Sequence, residues 1–207
     1  MFDPSDKTTP GRYGPSQTAL LLLDFHAFFV RSLGTPNARK ALGTASQLRN
    51  WAKSQNIKII HCLIDTHAPP YETCKDTARF VNHLQALNAN GAEEPSELTD
   101  GMEDDEVTFL RVPGYVSALR SIGLEKFLRE HGIKSLILTG LSTSGCVMRT
   151  ALAATDAEFV VTVISDGCAD REEEVHEFVL GKMVNNRGYV TTATELKEGF
   201  SKVIARR

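Results

Sequence analysis

The chain has 207 residues, of which 42% are hydrophobic and 24% charged, and its formal net charge is −3. This length predicts one domain, residues 16–207, behind a flexible leader at residues 1–15. The slightly acidic balance predicts no nucleic-acid partner, and no apolar run approaches the ~20 residues of a membrane-spanning helix. Because the N-terminus has no apolar signal-peptide core, we expect a cytoplasmic protein, although unconventional secretion would leave no mark in the sequence.

The cysteines give no sign of a metal or redox motif. Cys62, Cys74, Cys146 and Cys168 show no C-x-x-C spacing, which zinc knuckles and dithiol redox sites require. We therefore expect reduced thiols, as in most cytosolic proteins.

Short apolar runs alternate along the chain with segments of helical periodicity. The predicted strands are residues 18–23, 57–64, 107–111, 133–138, 159–164 and 188–192. The predicted helices are 36–55, 76–87, 117–131, the segment after Cys146, 172–184 and 195–204, and the weakly patterned region 66–102 is predicted to cross over the top of the sheet. This alternation predicts an α/β protein with a three-layer Rossmann-like fold: a central, mainly parallel sheet covered by helices on both faces.

The stretch from Lys134 to Ala157 predicts a buried strand, a tight turn after Gly140 and a helix. Cys146 would lie in the first helical turn, where unpaired N–H groups and the helix dipole favour a thiolate and lower the thiol pKa. The alternative is an inert cysteine, because free cysteines are among the most buried residues.

Charged residues follow several predicted strands. In an open parallel sheet the ligand site lies beyond the carboxyl ends of the strands, so Asp24, Asp65, Arg111, Cys146 and Asp166 should share one edge. A thiol nucleophile needs a base and a group that stabilises negative charge, and Asp24 and Arg111 are the candidates. Alternatively, Asp24 is only a turn residue and Arg111 only a surface cation.

Four stretches carry a family resemblance: L-L-L-L-D-F-H-A-F-F around Asp24, G-L-E-K-F-L before the central strand, G-L-S-T-S-G-C-V-M-R-T-A-L-A-A around Cys146, and V-V-T-V-I-S-D-G-C-A-D-R after it. On these motifs the chain, from residue 18 to 195, resembles the isochorismatase-like cysteine hydrolases. This superfamily includes nicotinamidases, N-carbamoylsarcosine amidases and isochorismatases. The last motif is most similar to the N-carbamoylsarcosine amidase-like branch.

The resemblance implies a hydrolase that cleaves a small amide, ureido or related C–N bond through a thioester. Asp24 and Cys146 match the family's aspartate and nucleophile. The backbone amides of Ser142 and Cys146 would form the oxyanion hole, beside a cis peptide expected between Leu141 and Ser142.

The third catalytic position departs from the family pattern. The family's K-x-x-x-S-A-F is R-V-P-G-Y-V-S-A-L here, so Arg111 replaces the lysine only if two residues are inserted before Ser117. An arginine stays protonated and cannot relay a proton, so its predicted role is electrostatic. Alternatively, Arg111 only closes the site by pairing with Asp24.

The resemblance also suggests residues around the substrate. His26 stands where a glutamine is usual, and Phe29 matches a residue of the family's pocket wall. We predict that both bind substrate, together with His67 and Tyr115. Some relatives hold a divalent ion with an aspartate and two histidines, which Asp65, His67 and His83 could supply. Because a D-x-H pair is common by chance, we predict no metal and no other cofactor.

Two rival functions stay open. An isochorismatase would hydrolyse a vinyl ether, releasing pyruvate, with acid catalysis from Asp24 and no thiol nucleophile. A catalytically silent binding protein would keep the fold but leave Cys146 unreactive. In each case the partner is a small molecule, and the resemblance implies a homo-oligomer, a dimer or tetramer.

Overall fold

Six strands form one parallel sheet in the computed structural model of the chain, which describes residues 1–33 and 35–204. The strands are β1 (Thr18–Leu23), β2 (Lys58–Ile64), β3 (Val107–Arg111), β4 (Ser135–Leu141), β5 (Val160–Ala169) and β6 (Tyr189–Thr191). Their order in the sheet is β3-β2-β1-β4-β5-β6. The predicted α/β fold with a parallel central sheet is confirmed.

Helices cover both faces of the sheet. They are α1 (Ala27–Ser32), α2 (Pro36–Ser54), α3 (Thr77–Asn90), α4 (Ser96–Thr99), α5 (Leu124–Glu130), α6 (Met148–Asp156), α7 (Glu173–Phe178) and α8 (Ala193–Ile204). Apolar residues of α2 and α8 pack on one face, and those of α5 and α6 pack on the other. Among the described residues, none of these helices is both long and apolar enough to cross a membrane.

Strand β1 lies at the centre because its side chains are apolar on both faces. Leu21 and Leu23 belong to the core beneath α5 and α6, whereas Leu20 and Leu22 belong to the core beneath α2 and α8. A continuous aliphatic run is typical of a parallel strand covered on both sides. The carboxyl end of β1 is therefore fixed in the middle of the sheet edge.

Two predicted helices are interrupted. The segment 117–131 forms a 3-10 turn at Ala118–Arg120 and then α5, separated by Gly123 at φ +84°, a value that favours glycine. The segment 172–184 forms α7 and then a π-helical turn at Val179–Val184. The short helices α1 and α4 were not predicted, since six and four residues are too few to show a period.

The first residues, predicted to form a flexible leader, lie against the domain. A Cβ at Gly199 would meet the Phe2 ring at 2.1 Å, so this ring packs directly on the backbone of α8. The Tyr189 hydroxyl donates a hydrogen bond to the Thr8 carbonyl at 3.1 Å. At the other end, Ala205–Arg207 of the predicted domain, like Gly34 within it, lie outside the described residues.

Candidate active site

The candidate site lies between the carboxyl ends of β1 and β4, where the strand order reverses direction. Ligands of open parallel sheets bind at such a switch point. Gly140 on β4 pairs with Leu23 on β1, and a Cβ at Gly140 would lie 2.5 Å from the Leu23 carbonyl oxygen. The close approach of these strands therefore requires glycine, and it brings Asp24 beside the turn that carries Cys146.

Asp24 and Arg111 form a buried, two-pronged ion pair. Arg111 Nη1 donates to Asp24 Oδ1 at 2.7 Å and Nη2 donates to Oδ2 at 2.5 Å, while Nε donates to the Tyr115 carbonyl at 2.9 Å. The two residues are only 3% and 2% exposed. Burial alone would lower the pKa of Arg111, but the charge of Asp24 outweighs it and the pKa is raised. Arg111 is thus a permanent cation at the floor of the site.

Cys146 lies buried beside this pair, in a π-helical turn at Thr143–Val147 that leads into α6. Burial, the largest cause, and the charge of Asp24 together raise the pKa of its thiol to about 12, although Arg111 and a hydrogen bond with Thr150 lower it. The expectation that the helix start lowers the thiol pKa is therefore wrong. Burial and a facing carboxylate outweigh the helix dipole, so the resting thiol is protonated at neutral pH.

The opposing effects of Asp24 and Arg111 give a direct test. In an Asp24→Asn variant we expect the pKa of Cys146 to fall, because the carboxylate is removed while the guanidinium remains. The thiolate fraction, and hence the rate of alkylation by iodoacetamide at about pH 8, should rise at least about tenfold. Peptide-resolved mass spectrometry would measure this rate.

Cys168 is the internal control for that experiment. Burial also raises its pKa to about 12, but Asp24 is not among the groups that affect it. Its alkylation rate should be the same in both proteins. A Cys146 rate that stays level or falls in Asp24→Asn would contradict the conclusion that the Asp24 carboxylate contributes to the raised thiol pKa.

The turn around Cys146 is held by several contacts. The Leu141–Ser142 peptide bond is cis, as predicted. The Ser142 carbonyl accepts hydrogen bonds from the N–H groups of Gly145 at 3.1 Å and Val147 at 3.3 Å, so the chain folds tightly on both sides of the cysteine. The oxyanion hole at Ser142 and Cys146 stays a prediction.

Two further side chains anchor the same turn and were not predicted. The Asp170 carboxylate accepts the N–H of Ser144 at 2.6 Å, and the Thr143 hydroxyl lies 2.8 Å from His176 Nδ1. Asp170 belongs to the V-V-T-V-I-S-D-G-C-A-D-R motif, but the motif does not predict which group its carboxylate binds. Both contacts join the turn to residues beyond β5.

A pocket of about 300 Å³ opens above the three candidate catalytic residues. Its walls are mainly apolar and aromatic. Besides Asp24, Arg111 and Cys146, the lining includes Phe29, Phe80, His83, Tyr115, Val116, Leu141, Ser142 and Arg171. Of the predicted substrate-binding residues, Phe29 and Tyr115 therefore line the pocket.

The other two predicted substrate-binding residues do not line it. His26 is 1% exposed and lies behind the wall: its Nδ1 contacts the Ala92 carbonyl and its Nε2 accepts the Ile64 N–H at 3.2 Å. His67 is exposed at the start of the crossing region. These placements differ from the sequence expectation because a motif fixes the position of a residue but not the direction of its side chain.

The residues proposed for a metal do not form a site. Asp65 accepts the N–H groups of His67 and Ala68, at 3.1 and 3.2 Å, as a turn residue does. His83 instead stacks on Phe29, with ring centroids 5.7 Å apart. Within residues 1–33 and 35–204, no group of three or more His, Cys, Asp or Glu side chains could hold a metal ion. These three residues do not fit a bound ion, and the absence of a cofactor stays a prediction.

Arg171 is a charged pocket residue that the sequence analysis did not predict. Its side chain lines the pocket and forms no hydrogen bond or ion pair with the described residues. A guanidinium without a carboxylate partner at a pocket wall is available to an anionic group of a ligand.

Comparison with known proteins places this chain in a family. The family model for the isochorismatase domain matches residues 18–195. The chain belongs to the isochorismatase family. This membership agrees with the sequence resemblance, and it covers all six strands and the candidate site.

Individual relatives are more distant. The chain is 25% identical to enterobactin synthase component B of Escherichia coli over 186 residues, which is 89% of this chain and 64% of that protein. Two solved structures share the fold of this chain. A cysteine hydrolase from Pseudomonas syringae has a TM-score of 0.78 at 18% identity, covering 92% of this chain and 95% of that one. N-carbamoylsarcosine amidase from Thermoplasma acidophilum has a TM-score of 0.67 at 18% identity, covering 86% and 96%.

Proposed function

We propose that this isochorismatase-family protein is a cysteine hydrolase that cleaves a small amide, ureido or related C–N bond through a thioester. The observation that carries the proposal is the meeting of Asp24, Arg111 and Cys146 at the floor of one pocket. The set combines a proton acceptor, a fixed cation and a nucleophile, which covalent hydrolysis requires.

In the first half-reaction, the Cys146 thiol passes its proton to Asp24 as sulfur attacks the substrate carbonyl carbon. Asp24 and Cys146 line the same pocket, so the carboxylate is our proposed direct acceptor of this proton. The C–S bond forms while the carbonyl oxygen becomes an oxyanion, which the amides of Ser142 and Cys146 stabilise. The C–N bond then breaks, and the amine leaves with the proton from Asp24.

In the second half-reaction, Asp24 takes a proton from water as the water oxygen attacks the thioester carbon. The C–S bond breaks, the sulfur recovers the proton and the carboxylic or carbamic acid leaves. No oxidant, reductant or cofactor enters this scheme.

Arg111 acts by charge alone. When Asp24 is protonated and Cys146 is a thiolate, the guanidinium next to both groups stabilises the negative charge at sulfur, as its lowering of the thiol pKa indicates. The hydrogen bonds of its Nε, Nη1 and Nη2 hold the guanidinium in place during both half-reactions.

The pocket favours a substrate with an anionic group. Phe29, Phe80 and Tyr115 provide apolar walls, and Arg171 provides the unpaired cation at the rim. We infer that the substrate carries a carboxylate that Arg171 binds while the scissile carbonyl reaches Cys146.

An Arg171→Ala variant tests this selectivity. We expect KM for carboxylate-bearing amides to rise about 10- to 100-fold, since a hydrogen bond to a charged group contributes ~1.5–3 kcal/mol. Neutral amides should be hydrolysed with unchanged KM, and Arg171→Lys should retain part of the affinity. Steady-state kinetics on matched acidic and neutral amides would measure the difference. Arg187→Ala, which removes an exposed arginine that pairs with Asp156, is the control. An equal loss of affinity for acidic and neutral amides in Arg171→Ala would argue against a carboxylate partner.

Isochorismatase chemistry is the second candidate. It is favoured by the match of the isochorismatase domain model to residues 18–195. It would use Asp24 as the acid and would not need the thiol, so a cysteine variant separates the two reactions.

Assembly is a further part of the proposal. We propose a homo-oligomer, a dimer or tetramer, since Leu110 on the edge strand β3 and nearby Ile122 are 45% and 79% exposed. Large apolar side chains exposed together at a sheet edge favour contact with another chain.

A further inference from the structure

A buried ionic cluster lies outside the substrate pocket, between α2 and the start of β3. Glu106 accepts hydrogen bonds from Arg49 at 2.7 and 2.9 Å, from Lys53 at 2.7 Å, and from the Glu103 N–H at 3.3 Å. Burial raises the pKa of Glu106, but bonds from Arg49, Lys53 and His61 outweigh it and lower the pKa to about 2. Glu106 is therefore a fixed anion with several partners.

His61, in the middle of β2, joins this cluster to a second carboxylate. Its Nε2 lies 3.3 Å from Glu106 Oε2 and its Nδ1 lies 2.8 Å from Glu94 Oε2, with the ring fully buried. A neutral imidazole donates from one nitrogen only, so only the imidazolium satisfies both carboxylates. The charged groups around the ring are Glu94, Glu106, Arg49 and Lys53, and the neighbouring strands place Leu22 and Thr108 beside it.

Within the described residues, His61 is the one hydrogen-bond partner of the Glu94 carboxylate. The Glu94 side chain is 5% exposed, and its other carboxylate oxygen is buried without a hydrogen-bond partner among the described residues. A buried carboxylate that loses its one partner becomes strongly unfavourable. The position of Glu94 is therefore tied to the protonation of His61.

The backbone around Glu94 supports the start of α1. The Gly91 carbonyl accepts the Phe28 N–H at 2.9 Å, and the Glu93 carbonyl accepts the Ala27 N–H at 2.8 Å. These N–H groups belong to the first helical turn, which has no partners within its own helix. Segment 91–94 thus holds α1 from outside.

Helix α1 supplies part of the aromatic wall of the substrate pocket. Its Phe29 lines the pocket and stacks on His83. A continuous set of contacts therefore runs from His61 through Glu94 and segment 91–94 to Phe29.

We propose that His61 and Glu94 are positioning residues for the substrate pocket: their ion pair fixes segment 91–94, which holds α1 and thereby the wall formed by Phe29. The effect on substrate affinity rests on the proposed hydrolase function. The effect on the α1 backbone does not depend on it.

The pair gives the wall a pH dependence. Burial lowers the pKa of His61, but the bonds and charges of Glu94 and Glu106 outweigh it, so the pKa lies above the usual 6.5. Stability from a raised histidine pKa is fully present at low pH and is lost as pH rises through the folded-state value. The wall should therefore loosen as His61 loses its proton, raising KM more than it lowers kcat.

Hydrogen exchange of the Ala27 and Phe28 amides tests the proposal without a substrate. In the wild-type protein, we expect their protection factors to fall at least about tenfold between about pH 6 and 9, in parallel with the NMR titration of His61. Glu94→Gln should lower the pKa of His61 and reduce protection by a similar factor already at about pH 6. Glu97→Gln is the matched control, because it removes a half-exposed carboxylate on neighbouring α4 that pairs with Arg39. It should change neither the pKa of His61 nor the protection of the two amides.

The outcomes separate this proposal from the proposed function. The proposal is overturned if the Ala27 and Phe28 amides are as well protected in Glu94→Gln as in the wild type. It is also overturned if their protection does not change as His61 titrates. Both results hold whether or not the protein is a hydrolase. If hydrolysis is found, a higher KM with nearly unchanged kcat in Glu94→Gln supports the proposal, and a loss confined to kcat overturns the link to the pocket.

Discussion

Replacement of Cys146 by alanine should reduce amide hydrolysis by at least about 10⁴-fold, because the covalent step loses its nucleophile. Cys146→Ser should also be inactive, since a neutral hydroxyl is a poorer nucleophile than a thiolate. Turnover of a panel of amides, ureides and isochorismate, followed by amine or pyruvate release, would measure both variants. A burst of amine release followed by slower acid release in the wild type would be the sign of the thioester.

Cys168→Ala is the matched control, since Cys168 is also a buried thiol but lies outside the pocket. It should keep wild-type activity. Wild-type rates of amide hydrolysis in Cys146→Ala would rule out the covalent mechanism. Release of pyruvate from isochorismate by both the wild type and Cys146→Ala would instead establish the vinyl-ether reaction, which needs no thiol.

Replacement of Arg111 by methionine should remove activity and destabilise the fold by about 3–5 kcal/mol, because it leaves Asp24 buried without its partner. Urea unfolding at neutral pH would measure the change in the free energy of unfolding. The double variant Asp24→Asn with Arg111→Met should recover much of this stability, since both charges are gone, while remaining inactive.

Arg111→Lys separates charge from geometry. It keeps a cation beside Asp24 but cannot make the two parallel bonds or reach the Tyr115 carbonyl in the same way. We expect a stable protein with reduced kcat. A loss of less than about 1 kcal/mol in Arg111→Met would show that the pair is not the structural centre of the site.

Much of the fold could be predicted because parallel strands that are covered on both faces appear in the sequence as continuous apolar runs. The limits of β1 and β3 agree with the predicted residues, since the β1 run stops before Asp24 and the β3 run ends at Arg111. The interruption at Gly123 and the π-helical turns could not be predicted. They depend on how each segment packs on the sheet, which helical periodicity does not record.

The site could be predicted only in part. Asp24 and Cys146 were found from motifs, and the structure brings Arg111 to them across the end of β2. Arg171 faces the pocket from beyond β5, and only the relative placement of β4 and β5 brings it there. The thiol pKa was predicted in the wrong direction because sequence shows the helix start but not the depth of burial or the facing carboxylate.

The carbonyl of Tyr115 couples the loop after β3 to the buried cation. It accepts the Nε–H of Arg111 from the loop that joins β3 to Ser117, while the two terminal nitrogens bind Asp24. A lysine has one nitrogen and cannot replace all three donors in this geometry. Position 111 and the loop at Tyr115 are therefore energetically coupled, and substitutions at the two places should be non-additive in a double-mutant cycle.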